Sequence, residues 1–186
     1  MKRLFLILFI SASALFASAQ ETKFPILDSS PADILYYPLN VAKDKSTEAT
    51  PVVRVIYSRP QKKGREIFGV LEQFGNVWRA GANESTEIRF YKSVKLNGKK
   101  ISKGNYSLFV IPQKDKWTII INRQTDKWGA FSYDASKDVL RTDVNIRKSA
   151  KVIQALSMTF EDTASGANLV IGWDDTIVAV PFSFKK

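Results

Sequence analysis

The chain of 186 residues contains no histidine and no cysteine. Histidine is the side chain that titrates near neutral pH and is the commonest metal ligand. Its absence, together with that of cysteine, excludes Ser-His-Asp triads, Cys-His dyads and zinc sites built on these residues. No disulfide can support the fold, so packing alone must hold it together. We expect neither a metal nor another cofactor, and any catalysis would depend on carboxylates.

Long hydrophobic runs are missing beyond the N-terminus. Residues 1–19 have the features of a cleavable signal peptide: a basic start, an apolar run from Leu4 to Phe16 and a small-x-small pattern ending at Ala19. We predict cleavage after Ala19 and export to the periplasm or the exterior. No later stretch approaches the roughly 20 apolar residues that a transmembrane helix needs, so we expect none in the mature chain.

The charge is strongly one-sided, with 28 Lys and Arg against 18 Asp and Glu. Such an excess favours anionic partners, although a solvated basic surface also keeps a protein soluble. The basic residues are dispersed and do not alternate with aromatics, as a nucleic-acid groove would require. We therefore expect no nucleic-acid partner and consider a small anionic or carbohydrate molecule.

The length after cleavage suits one domain. Residues 20–50 are rich in proline and polar side chains, which predicts an extended N-terminal segment that packs on a domain formed by residues 51–186. Tyr36 and Tyr37 in that segment either cover a core edge or offer a stacking platform. We favour the cover, because aromatics beside prolines commonly fix irregular segments.

Period-two alternation predicts most of the remaining chain to be strands, for example through Val53, Val55 and Tyr57. Asn97-Gly98 and Asp174-Asp175 are predicted as hairpin turns. Residues 67–74 have apolar side chains at helical spacing before Gly75, which predicts one short helix. The pattern as a whole indicates an all-β fold, an antiparallel β-sandwich or partly open barrel of about eight or nine strands.

Five ordered motifs give the chain a family resemblance. They are Tyr57-Ser58-Arg59-Pro60, Lys63-Gly64-Arg65-Glu66-Ile67-Phe68-Gly69, Val77-Trp78-Arg79-Ala80-Gly81-Ala82-Asn83-Glu84-Ser85-Thr86, Gly104-Asn105-Tyr106-Ser107-Leu108 and Trp128-Gly129-Ala130-Phe131-Ser132-Tyr133-Asp134. Over roughly residues 28–183 the chain resembles the DUF2911 family, exported bacterial proteins of unknown function. The resemblance implies an exported domain and supplies no catalytic residues.

Basic side chains suggest a cationic pocket. Guanidinium groups suit carboxylate, sulfate or phosphate, and Arg59, Lys63, Arg65 and Arg79 are candidates. In the alternative, Arg59 and Arg79 form ion pairs that fasten loops to the sheet. The possible partners are Glu66, Glu84 and Glu87.

The remaining candidates lie beside Arg79. Trp78 is either core filler or a ligand platform, and we favour the core. Asn83 is a ligand contact or a turn residue, and Gly81 supplies a positive φ angle or a close backbone approach. Glu84 is the one weak catalytic candidate, as an acid or base paired with Glu87 or Asp134.

The loop of residues 122–138 contains Trp128, Phe131 and Tyr133 around two small residues. Such aromatics occur on sugar-binding faces, and they also anchor long loops as a hydrophobic plug. We favour the plug.

Three hypotheses follow. The first is non-enzymatic binding of an anionic or carbohydrate-like envelope ligand through Arg59, Arg65, Trp78, Arg79, Asn83 and Glu84. The second is a carboxylate-dependent hydrolase or isomerase that uses Glu84, and the third is a purely structural envelope protein. Without histidine or cysteine, the composition favours binding or architecture over catalysis.

Overall fold

Alternating apolar side chains form the strands of this chain, as they do in half-buried sheets. The computed structural model describes residues 21–43 and 50–185, so the predicted signal peptide lies outside the described residues. The strands within this part are β1 (Ala32–Tyr37), β2 (Val53–Ser58), β3 (Thr86–Phe90), β4 (Val94–Leu96), β5 (Lys99–Ile101), β6 (Gly104–Pro112), β7 (Lys116–Asn122), β8 (Asp138–Thr163) and β9 (Gly166–Ser183). Short 3-10 turns occur at Val41–Lys43 and Ala135–Lys137.

The nine strands of the described part form one antiparallel sheet in the order β1-β2-β3-β6-β7-β8-β9-β4-β5. The chain just after β2 then meets the middle of β8. Leu156 N donates to Pro60 O at 3.0 Å, and Lys62 N donates to Gln154 O at 2.6 Å. These bonds join the segment after β2 to β8, so that the open sheet is curved and its two halves face each other. The predicted all-β class and strand number are confirmed.

One hydrophobic core lies inside the curved sheet and receives side chains from both of its halves. Trp117 and Trp173 are completely buried, and Phe90 packs against Phe182 with ring centroids 5.4 Å apart. A buried aromatic side chain removes about 150–250 Å² from water, which stabilises the fold by roughly 4–6 kcal/mol before entropy is subtracted. The aromatics therefore provide the support that disulfides would otherwise give.

The predicted hairpin at Asp174-Asp175 is wrong. β9 continues through both residues, and the reversal lies between Thr163 and Gly166. Asp174 has a φ of 55°, and the register of β8 against β9 shifts around its partner, Ile153. The two acids therefore lie at a strand irregularity, which bends the strands. Such an irregularity and a turn both use a residue with a positive φ angle, here Asp174.

The predicted helix at residues 67–74 is also wrong, because this segment forms turns. Gly69 has a φ of 97°, which a right-handed helix cannot contain, and Glu72 N donates to Ile67 O at 2.9 Å. Ile67 is buried, while Leu71 and Phe74 are 40% and 39% exposed. No helix in residues 21–43 and 50–185 is long and apolar enough to cross a membrane.

The N-terminal segment contributes an edge strand. β1 pairs with β2 along its whole length, from Ala32 opposite Ser58 to Tyr37 opposite Val53. Tyr37 is buried, and its ring lies 5.5 Å from that of Phe160. Tyr37 thus belongs to the core edge, as the favoured interpretation expected.

Candidate ligand-binding site

An aromatic cluster supports one end of the sheet. We call residues 60–75 the capping loop, and its Phe68 ring lies 5.0 Å from the Trp117 ring. Trp78 stacks on Trp173 with centroids 5.9 Å apart and meets Trp117 edge to face at 5.8 Å. Such pairs contribute about 0.5–1.5 kcal/mol each beyond their buried area. The cluster gives the surface above it a rigid base.

Hydrogen bonds to three consecutive carbonyl groups fix the backbone after Trp78. Trp78 Nε1 donates to Gly81 O at 3.2 Å, and Thr86 Oγ1 donates to Ala80 O at 2.9 Å. The carbonyl of Arg79 accepts from Thr86 N at 3.2 Å. Ala80, with a φ of 53°, takes the positive angle that was considered for Gly81. These bonds hold the Arg79 backbone in one place.

Gly81 instead allows a close backbone approach, the other predicted role. A Cβ at this position would lie 3.1 Å from Thr86 Oγ1 and 3.3 Å from Ser58 O. The segment therefore sits directly against the end of β2.

A cleft of about 370 Å³ lies between the capping loop and this segment. We call it the arginine cleft. Its charged lining residues are Lys63, Arg65, Glu72 and Arg79. The other lining residues are Ser29, Ser30, Pro60, Gln61, Leu71, Gly81, Ala82 and Trp173. Three cations thus share one cleft with one carboxyl group.

The Arg79 side chain forms no hydrogen bond or ion pair with the described residues, although its positive charge acts on the Glu72 carboxyl group. Its Nε is buried without a hydrogen bond, and none of the ion pairs among residues 21–43 and 50–185 includes this side chain. The buried Nε1 of Trp173 is likewise unpaired. Buried polar groups normally have a hydrogen-bond partner, so each of these donors calls for an explanation.

The guanidinium of Arg65 donates two hydrogen bonds to backbone carbonyls of its own loop, and the residue remains exposed. Its Nε donates to Lys62 O at 3.0 Å, and one of its terminal nitrogens donates to Gln61 O. Lys63 is exposed and has a φ of 47°. Neither side chain takes part in an ion pair within the described residues. Both charges therefore remain available at the rim.

Glu72 is the acidic member of the cleft. Burial raises the pKa of its carboxyl group from 4.5 to about 7, although the positive charges of Arg79 and Arg65 oppose the change. The carboxyl group forms no ion pair or hydrogen bond within the described part of the chain. Desolvation prevails because neither guanidinium is close enough to pair with it.

Arg59 lies outside the arginine cleft and fastens strands together. Its Nε donates to Leu156 O at 3.0 Å, and one terminal nitrogen donates to Ser157 Oγ at 2.8 Å. Its other terminal nitrogen pairs with Asp33 at 3.1 Å. This arrangement corresponds to the ion-pair alternative, with Asp33 in place of the glutamates that were considered.

Trp78, Asn83 and Glu84 are also separated from the arginine cleft. Trp78 is only 3% exposed and belongs to the core cluster. Asn83 has a φ of 58°, and its carbonyl accepts from Gly129 N at 2.9 Å, as in a turn. Of the predicted ligand contacts, the structure brings only Arg65 and Arg79 together.

Glu84 lines a second cleft of about 290 Å³, which we call the Glu84 cleft. Glu87 and Asp126 also line it, together with the hydroxyl-bearing Ser85 and Ser107. The carboxylate of Glu87 pairs with Arg54. Asp134, the other partner considered for Glu84, caps the 3-10 turn at Ala135–Lys137.

The aromatic loop is only partly a plug. Tyr133 packs edge to face on Phe109 at 5.1 Å and donates to Asp138 Oδ2 at 2.7 Å. Trp128 and Phe131 are 62% and 87% exposed, so the plug interpretation is wrong for these two. Trp128 is joined to Glu84 by an antiparallel bridge. An exposed indole therefore stands beside the Glu84 cleft.

Sequence reasoning missed Glu72 and Trp173 as cleft residues. The only local signal for Glu72 was one acid within an apolar stretch, and the helix prediction obscured it. Trp173 reaches the cleft from β9, about a hundred positions away along the chain. No group of three or more acidic side chains in residues 21–43 and 50–185 is arranged to hold a metal ion.

The fold and clefts define a class: an all-β protein of one curved antiparallel sheet with a cationic cleft at one end. The chain belongs to the DUF2911 family, described as proteins of unknown function, whose model matches residues 39–182. No curated protein and no solved structure matches the chain.

Proposed function

We propose that this protein binds a small anionic ligand in the arginine cleft without transforming it. The observation that carries the proposal is the Arg79 side chain, which lines the cleft and forms no hydrogen bond or ion pair within the described residues. A buried donor without a partner costs about 1–3 kcal/mol, and more when the group is charged. An oxyanion in the cleft would instead pair with the terminal nitrogens of this guanidinium, which have no hydrogen bond within the described residues.

The surroundings of Arg79 suit an oxyanion. Arg65 and Lys63 line the same cleft, and neither is neutralised by an ion pair within the described residues. Guanidinium groups bind carboxylate, sulfate and phosphate through parallel N–H bonds. We therefore propose a ligand with a carboxylate, sulfate or phosphate group.

The predicted export suggests where such a ligand would be found. A signal peptide at residues 1–19 would place the mature chain in the periplasm or outside the cell. Acidic sugars and phosphorylated envelope components carry the required groups. An envelope anion is therefore the ligand we propose.

Isothermal titration calorimetry with glucuronate, galacturonate, sulfate and inorganic phosphate tests the proposal. We expect saturable binding of at least one probe, weakened about 10- to 100-fold by Arg79→Ala, since a charged hydrogen bond contributes roughly 1.5–3 kcal/mol. Arg147→Ala is the matched control, because Arg147 is exposed and does not line the cleft.

Two outcomes would contradict the proposal. One is that no probe binds to the folded wild type. The other is that Arg79→Ala and Arg147→Ala weaken binding equally, since the positive surface as a whole would then be responsible.

A carbohydrate at the Glu84 cleft is a second candidate function. The specific observation is Trp128, which is 62% exposed and bridged to Glu84, a residue that lines a cleft with two further acidic side chains. A flat ring offers a face to sugar C–H groups, while carboxylates and hydroxyls bind sugar hydroxyls. Neutral sugars suit this cleft better than acidic ones, because Glu84 and Asp126 would repel an anion.

Titration with chitohexaose and laminarihexaose tests this candidate. Trp128→Ala should abolish binding, while Phe74→Ala, which removes an exposed aromatic of the capping loop, should leave it unchanged. Equal binding by both variants would contradict the proposal of a carbohydrate site.

Measuring the release of reducing ends by wild type and Glu84→Gln separates binding from hydrolysis, because only a hydrolase would lose turnover in the variant. If neither cleft binds a ligand, a structural envelope role becomes the favoured hypothesis.

A further inference from the structure

We propose that anion binding in the arginine cleft is coupled to protonation of Glu72, so that the ligand is bound more tightly in mildly acidic than in alkaline conditions. The inference rests on the proposed function of the cleft. It adds a specific role for Glu72 and a pH dependence to the binding of the anion.

The first observation is where the carboxyl group of Glu72 lies. It shares the cleft with Arg79, Arg65 and Lys63, yet it forms no ion pair or hydrogen bond within the described residues. Its backbone is fixed, since Glu72 N donates to Ile67 O at 2.9 Å and Glu72 O accepts from Gly69 N at 2.9 Å. The carboxyl group therefore cannot leave the cleft by a simple backbone shift.

The charges that face Glu72 come from two sides. Lys63 and Arg65 approach from the capping loop, and Arg79 approaches from the segment after Trp78. On β9, Asp174 follows the lining residue Trp173 and is already paired with Lys62 at 2.7 Å. The remaining lining residues are uncharged. The two guanidinium groups are thus the charges that favour an ionised Glu72.

A bound anion would occupy those same guanidinium groups. It would also place a second negative charge in a half-buried cleft, where like charges disfavour one another's ionised forms. Taking up a proton removes this repulsion, and the protonated carboxyl group can then donate a hydrogen bond to the anion. In the free protein the pKa of Glu72 is already about 7, so the proton is available near neutral pH.

The ligand class follows from this chemistry. The ligand needs an oxyanion with an acceptor oxygen free after the arginines have bound, as carboxylate and sulfate groups have. These two groups differ in source, since a carboxylate indicates an acidic sugar and a sulfate indicates a sulfated one. Glucuronate and sulfate serve as the probes because neither titrates between pH 6 and 8.5, whereas phosphate does.

Calorimetric titrations of wild type with both probes at pH 6.0 and 8.5 test the coupling. If the bound state keeps Glu72 protonated throughout, affinity falls about 30-fold over this interval, by linkage from a free-state pKa of about 7. At pH 8.5, titrations in buffers with different ionisation enthalpies should show uptake of about one proton for each ligand bound.

Two variants test whether Glu72 is the group that takes up the proton when the anion binds. Glu72→Gln resembles the protonated carboxyl group, so its affinity should match that of wild type at pH 6.0 and stay constant up to pH 8.5. Glu66→Gln removes an exposed acid from the same loop that does not line the arginine cleft, and it should retain the wild-type pH dependence.

The outcomes separate this inference from the proposed function. If neither glucuronate nor sulfate binds at either pH value, the inference is overturned, and if galacturonate and inorganic phosphate also fail to bind, the proposed function is overturned with it. Binding that does not change with pH, or a pH dependence that persists in Glu72→Gln, overturns the inference and leaves anion binding standing. A preference for glucuronate over sulfate, or the reverse, distinguishes the two sources.

Discussion

Replacing Glu72 with glutamine is expected to stabilise the ligand-free protein at alkaline pH and to have little effect near pH 4.5. The reason is that burial raises the pKa of this carboxyl group in the folded chain from 4.5 to about 7. Glutamine has nearly the same shape and cannot ionise. It therefore removes the penalty that the folded protein bears when Glu72 is charged.

The sign follows from proton linkage. Between pH 4.5 and about 7 the folded state binds more protons than the unfolded state, so stability falls as pH rises through this window. Above pH 7 both states are ionised and the full penalty is present. Each pKa unit corresponds to 1.36 kcal/mol, which gives a penalty of about 3 kcal/mol at pH 8.5. At pH 4.5 it is below about 0.5 kcal/mol.

Urea unfolding of wild type and Glu72→Gln at pH 4.5 and 8.5 measures the effect. The free energy of unfolding of the variant should exceed that of wild type by about 3 kcal/mol at pH 8.5, while the two nearly coincide at pH 4.5. Glu66→Gln, at an exposed acid of the same loop, should show no such difference. A Glu72→Gln variant that is no more stable than wild type at pH 8.5 would refute the argument from burial.

Three further substitutions test the framework around the clefts, each by urea unfolding. Arg59→Ala loses the bonds to Leu156 and Ser157, so it should lower the free energy of unfolding by about 1–2 kcal/mol without changing anion affinity. A loss of anion affinity would show instead that Arg59 contacts the ligand. Trp78→Ala opens a core cavity and should destabilise by about 3–5 kcal/mol, and a value below about 1 kcal/mol would contradict its anchoring role. Gly81→Ala introduces contacts at 3.1 Å and 3.3 Å and should destabilise by about 1–3 kcal/mol, whereas a neutral effect would contradict the close approach.

The all-β class was predictable because strand alternation is a local property. Val53, Val55 and Tyr57 are all buried, as their spacing predicts. The Asn97-Gly98 turn between β4 and β5 has two positive φ angles, 49° and 75°, which this pair adopts readily. In both cases a few neighbouring residues determine the structure.

Other features depend on partners distant in sequence. An aspartate pair is compatible with either a hairpin turn or an irregularity within a strand. The pairing of β9 with β8 selects the irregularity at Asp174. The apolar spacing of residues 67–74 predicted a helix, yet Gly69 and the docking of Phe68 onto three tryptophans impose turns. Tertiary packing overrides local preference in each case.

In the candidate site, too, some residues could be proposed from the sequence and others could not. The sequence prediction proposed a cationic pocket of Arg59, Lys63, Arg65 and Arg79, and the last three line the arginine cleft. The sequence could not separate these residues from Arg59, whose partners lie on β1 and β8. Glu72 and Trp173 become cleft residues only when the capping loop packs against the middle of β9, at Trp173 and Asp174.

The most direct test of the central claim, that Arg79 receives an anion, is NMR observation of its Nε–H group. Wild-type protein labelled with ¹⁵N is titrated at pH 6.0 with glucuronate and with sulfate. We predict saturable shifts of the side-chain signals of Arg79 Nε and Trp173 Nε1, the two buried donors without partners in the arginine cleft. Signals that stay at their free positions while either probe saturates the protein would contradict the account.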